Sequence, residues 1–117
     1  MIDIDFSLNA ENLSPYIDDL FTVGKKSVQL LRKDWDPSKG SPVFTVKGKY
    51  TSKGWTEWSQ GFLFGNAILL FDALDDQEYL DYGRNKTVEF MSPHLSHTGV
   101  HDHGFNTIST YGNLLRL

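Results

Sequence analysis

Apolar residues recur at helical spacing in four stretches of this chain. In the first, Ile17, Leu20, Phe21, Gly24, Val28 and Leu31 share one face, while Asp18, Lys25, Arg32 and Lys33 fall elsewhere. Ser14 as N-cap and Pro15 at the first helical position would start this helix. Acidic residues near its beginning and basic ones near its end agree with the helix dipole. The second stretch begins near Ser59 and runs to about Ala73. It is apolar almost all round, so protein is expected on both of its faces. Asp75-Asp76-Gln77 makes a tight connection to a third, more polar helix from Glu78 to Met91, which Pro93 stops. A buried helix followed by an amphipathic one predicts an inner and outer pair in a layered all-α structure.

The fourth stretch places Phe105, Ile108, Gly112 and Leu115 at spacings of three and four. Its pattern still runs at Asn113-Leu114-Leu115-Arg116-Leu117, which reads as a piece cut from a longer domain. Between the first and second helices, residues 34–57 break the rhythm. Asp36-Pro37, Lys39-Gly40 and Ser41-Pro42 are turn formers, and Val43 to Tyr50 alternates only loosely. A long loop with one short hairpin around Lys47-Gly48 is expected there. Loops of more than about 12 to 15 residues in compact domains are often functional.

Bulk properties narrow the classes. With 117 residues, the chain is long enough for one small domain with a core but not for two. Its 39% hydrophobic and 14% aromatic content excludes a disordered chain. A formal net charge of -4 without a basic stripe gives no reason to expect nucleic acid; Lys25-Lys26 and Arg32-Lys33 read as a solvated helix face. The absence of cysteine rules out disulfides, thiolate nucleophiles and cysteine zinc sites. No stretch approaches the ~20 apolar residues of a membrane span, and Met1-Ile2-Asp3-Ile4-Asp5 lacks the form of a secretory signal. A cytoplasmic location is expected, or a periplasmic one if a signal has been removed.

The densest polar cluster is His101-Asp102-His103, at the entrance of the fourth helix. A carboxylate there, beside histidines and Phe105, could be tuned for proton transfer. Asp102 could equally cap that helix, the commonest use of Asp at such a position. His94, His97, His101 and His103 raise a metal site, but on a helix His101 and His103 point to different faces and no His-Glu-x-x-His spacing is present. No metal or cofactor is therefore assigned. Trp55 and Trp58, at the loop-to-helix junction, could stack on a sugar ring or simply anchor the loop. Asn85-Lys86-Thr87 matches a glycosylation sequon but falls in mid-helix.

Glu57-Trp58-Ser59-Gln60-Gly61-Phe62-Leu63-Phe64-Gly65, then Ala73-Leu74-Asp75-Asp76-Gln77-Glu78-Tyr79-Leu80, then His101-Asp102-His103-Gly104-Phe105 resembles the amino-terminal third of the unsaturated glucuronyl hydrolases. The resemblance covers roughly Thr22 to Tyr111. It implies part of an (α/α)6 toroid of six helical hairpins, with residues 1–117 as the amino-terminal portion of one catalytic domain. It also implies cleavage of oligosaccharides that end in a 4,5-unsaturated uronic acid. Asp102 matches the family's catalytic aspartate, a second one lying on a later helix. Trp58 and His101 match residues lining the same sugar subsite, and Trp55 and His103 are neighbouring candidates. Five positions differ from the usual pattern. Ser59-Gln60 stands where Thr-Asp is common, Asn106-Thr107 where an apolar pair is common, and His103 where an apolar residue is usual.

Six hairpins of ~15-residue helices need on the order of 300 residues, so about four helices form an incomplete ring. Its uncovered apolar faces would favour self-association. Two other readings remain: a related toroid hydrolase acting on saturated uronides, and a non-catalytic remnant that binds sugar or protein.

Overall fold

A computed structural model describes residues 3–117; Met1 and Ile2, part of the segment read for a signal, lie outside the described residues. The chain is mostly helical, with one small two-stranded sheet. The first helix, α1 (Ala10–Asp34), starts earlier than Ser14-Pro15 predicts. An Asn9/Asn12 capping box explains this. The Asn9 side chain accepts from the Asn12 N–H at 3.0 Å, and the Asn12 side chain accepts from the Asn9 N–H at 2.9 Å. That reciprocal pair satisfies two orphan donors, and Pro15 is carried inside the helix. The apolar face of α1 is also used differently from expectation. Phe21, Val28 and Leu31 pack inward, whereas Ile17 and Leu20 are exposed, as is every α1 residue before Phe21.

Residues 34–57 are more ordered than a loop. Strands β1 (Ser41–Val46) and β2 (Lys49–Lys53) pair antiparallel around the expected Lys47-Gly48 turn, with a bulge between Pro42 and Phe44. Both turn residues have positive φ, 51° and 75°, as a two-residue turn matching strand twist requires. The all-α expectation is corrected to this extent. The hairpin is tied down at its base: the Trp35 indole N–H donates to the Gly40 carbonyl at 3.0 Å, and the Ser41 and Ser59 hydroxyls meet at 2.7 Å.

The central element is α2 (Gln60–Leu74), with Leu63, Phe64, Ala67, Ile68 and Leu70 buried. It is mostly enclosed, as its composition predicts, but Leu69 and Leu74 stay open. Asp75 ends it in the left-handed conformation (φ 53°), and Asp76 caps α3 (Gln77–Phe90) by accepting from the Glu78 N–H. Those two aspartates are the tight connection seen in the sequence. Helix α3 lies close on α2, since a methyl group at Gly83 would come within 2.6 Å of Ile68. The core accordingly forms on α2, with Val28 and Tyr79 at one end and Leu63, Phe64 and Met91 at the other.

After a 3-10 turn (Ser92–Leu95), the chain enters α4 (His103–Thr107), a π-helical segment (Ile108–Gly112) and α5 (Asn113–Arg116), which run on without a break. This composite helix crosses α2 through glycines. A β-carbon on Gly61 would meet the Asn106 backbone, its carbonyl oxygen at 2.8 Å, and one on Gly65 would meet the Ser109 backbone. Only residues without side chains allow that approach. No described helix is long and apolar enough to cross a membrane.

Candidate functional site

Around the crossing of α2 and α4 the sequence-predicted residues fall into three groups: Asp102 with His101, Trp58 with Phe62 and Phe105, and Trp55 with His103. Asp102 occupies the N-cap position of α4 (φ -64°, ψ -10°), yet its side chain makes no capping hydrogen bond. Its carbonyl, not its carboxylate, accepts from the Phe105 and Asn106 N–H groups. The carboxylate instead lies 3.1 Å from the His101 Nε2, with His101 95% and Asp102 32% exposed. The capping alternative thus loses its hydrogen bond, and the acid is left facing a solvent-accessible imidazole.

His101 lies in the turn before α4 and is exposed, whereas His103, the first residue of α4, is buried, so the two part without sharing the single helix the sequence predicts. Trp58 is 45% exposed and reaches the same helix through its neighbours. Its ring meets Phe62 edge-on at 5.6 Å and Phe105 at 6.5 Å, and Phe105 stands three residues beyond Asp102. Trp55 stacks on the His103 ring (5.7 Å, 10°) and meets His94 and His97 edge-on, while staying 42% exposed. Each of the four candidates around Asp102 therefore connects to the α4 entrance: His101 and His103 through the backbone, Trp58 through Phe105, Trp55 through His103.

Beneath this entrance lies a polar network that spacing alone did not reveal. The Asn106 side-chain oxygen accepts from the Gly61 N–H at 2.7 Å, and its amide nitrogen lies 3.2 Å from both the Glu57 carbonyl and the His94 Nδ1. His94 places Nε2 2.9 Å from the Gln60 Oε1 and Nδ1 2.8 Å from the His103 Nδ1. The His103 Nε2 lies 2.7 Å from the His97 Nδ1. Burial, then the neighbouring His103 and His97, push His94 down to about 4. Burial is also the main cause that lowers His103, opposed by the Asp102 carboxylate. Both rings are neutral near pH 7.

His103 presents opposite ring nitrogens to its two neighbours, so these three imidazoles do not converge on one point where an ion could sit. Among the described residues, no three His, Cys, Asp or Glu side chains form a metal-holding group. With both nitrogens engaged and its ring under Trp55, His103 supports the site from below. The sequence signal for this network was the four histidines within ten residues. No family model, curated protein or solved structure matches this chain.

Proposed function

We propose that this chain is the amino-terminal portion of an (α/α)6 toroid hydrolase that removes a terminal 4,5-unsaturated uronic acid from oligosaccharides, with Asp102 as general acid/base. The observation that carries this reading is the Asp102 carboxylate, which makes no capping hydrogen bond and meets the exposed His101 instead. It stands at a helix entrance, free of capping, beside His101 and on the helix that Trp58 reaches through Phe105. Substrate stacking on the exposed Trp58 indole would place the apolar face of the sugar near that acid. His101 can donate to a substrate oxygen from the same turn.

The chemistry is hydration of a vinyl ether. Asp102, or the second carboxylate expected on a later helix, delivers a proton to C4 as an acid; water adds its oxygen to C5 and gives up a proton to the carboxylate so formed, which regenerates the acid. The resulting hemiketal collapses and releases the partner sugar. This differs from two-carboxylate displacement at the anomeric carbon. The helical pair α2 and α3, an inner helix with an amphipathic one laid on it, fits one hairpin of such a ring.

The test follows loss of the ultraviolet absorbance of the C4=C5 uronate when an unsaturated disaccharide meets the protein encoded by the complete reading frame. Turnover by the wild type and at least a ~100-fold loss in Asp102→Asn are expected. Equal turnover by both would remove Asp102 from the mechanism. Cleavage of saturated uronides alone would replace the substrate class.

A further inference from the structure

The hydrogen-bond partners fix the protons on the buried histidines without reference to any titration. A backbone N–H can only donate, so the Gly61 N–H requires the oxygen of the Asn106 amide, leaving its nitrogen to face His94. That nitrogen also can only donate, so the His94 Nδ1 must be bare and its proton must sit on Nε2, where the Gln60 Oε1 accepts it. A bare His94 Nδ1 forces the proton of His103 onto its own Nδ1. The His103 Nε2 is then an acceptor, filled by the His97 Nδ1–H. Each step leaves one choice. The protons run in one direction, from exposed His97 through His103 and His94 to Gln60.

We infer that His97, His103 and His94 form a directional hydrogen-bonded chain of imidazoles that positions the Asp102 turn on the first turn of α2. His94 lies in the turn after α3, Gln60 opens α2, and His103 adjoins Asp102, so the chain fastens three elements at one point. Gln60, His103 and Asn106 are the polar departures from the glucuronyl hydrolase pattern, and in the structure they share His94 as a partner. The chain works only while uncharged. Adding a proton to His94 at Nδ1 would set three N–H donors against one another, from His94, His103 and Asn106. The charges and dipoles facing it are few. Asp102 acts on His103, the rings act on each other, and α2, α4 and the preceding loop contribute neutral Gln60, Asn106 and Trp55. His101 meets Asp102 on the solvent side. The positioning role rests on reading Asp102 as the acid/base; the proton arrangement does not.

The experiment labels histidine with 15N in the complete protein, in EDTA at pH 7, and reads which ring nitrogen is protonated. The expected result is Nε2 for His94 and Nδ1 for His103 and His97. His97→Glu, at an exposed position, puts an acceptor against the His103 Nε2. It should raise the His103 titration by about 1–3 pH units, whereas His97→Gln, which keeps a donor, should leave it in place. In the turnover assay, His97→Glu should shift the acid limb of the pH profile while leaving the chemistry dependent on Asp102. An opposite or averaged tautomer on His94 or His103 overturns the chain. So does a joint shift of both rings when stoichiometric Zn2+ is added to a sample freed of EDTA, which would make the cluster a metal site. Correct tautomers with an unmoved acid limb overturn the positioning role. Absence of turnover in every variant would instead count against the proposed reaction, with the nitrogen assignments still deciding the chain.

Discussion

At the scale of single residues, the site depends on what each polar atom is left to do. Asp102 sits where a capping aspartate is expected, but its helical φ and ψ turn the carboxylate away from the backbone donors and toward His101. His94 shows the opposite case, a side chain whose every nitrogen is claimed. Its neutral state has a consequence for stability. The folded value, about 4, lies below the ordinary 6.5, so the unfolded chain binds more protons between those limits. Stability is complete above pH 6.5 and falls as the pH drops from 6.5 to about 4, with no further loss from this group below that. A loss on the order of 1–2 kcal/mol is expected, allowing for water at the open His97 end. Urea midpoints measured from pH 7 to pH 4 would check it, and His94→Gln should flatten the dependence. A midpoint that rises toward pH 4 would contradict it. The sequence predicts His101 and His103 on different faces of one helix; they do part, but because His101 belongs to the turn that precedes α4. The sequence did not reveal that Gln60 and Asn106 close the network, because those contacts span 34 and 12 positions to His94 and depend on the helix crossing.

At the scale of elements, the apolar rhythm located α2 and α3 closely, and the turn residues Lys47-Gly48 marked the hairpin. What it missed has local causes. The Asn9/Asn12 box outweighs Ser14-Pro15 as a start signal, and a proline near the beginning of a long helix was tolerated. The α1 face was misassigned at Ile17 and Leu20 because a helix can be apolar on a stripe wider than its contact. The glycines separate into two kinds. Gly61 lies against the Asn106 backbone, so Gly61→Ala has no flexible side chain to displace. It should cost about 3 kcal/mol or more and disturb the histidine network with it. Gly24, in the middle of α1, meets nothing nearer than a Leu70 methyl group at 3.9 Å. Gly24→Ala should stabilise the fold by about 0.5–1 kcal/mol through helix propensity. Thermal midpoints of the two variants should move in opposite directions; a tolerated Gly61→Ala would mean that the helices do not cross so closely.

At the scale of the whole molecule, burial is uneven. The Cα radius of gyration is 16.1 Å, against about 13 Å for a compact domain of this length. Helix α1 leaves Leu13, Tyr16, Ile17, Leu20 and Val23 open along its first half. An exposed apolar stripe of this kind is a surface for association. The 117-residue chain is expected to associate, with a sedimentation coefficient that rises with concentration. Ile17→Glu combined with Leu20→Glu should return it toward the monomer. A single species at every concentration would show that the stripe tolerates water.

The π-helical segment between Asn106 and Asn113 bears on how the two ends of the last helix are related. Thr107 and Thr110 hydroxyls and the Asn113 amide donate to carbonyls one turn back, and the wider turn accommodates one residue more than an α-helix would. Each helical residue advances the phase by about 100°. The segment therefore acts as a phase shifter. It lets the first half of the helix keep Asn106 aimed at α2 while Leu114, Leu115 and Arg116 are dialled to a different bearing. Removing one residue there would let the wide turn close to an α-helical one with both halves near their present bearings, whereas the same deletion in a regular α-helix would rotate everything after it by roughly a quarter turn. The two halves of the helix are in this sense separately addressable.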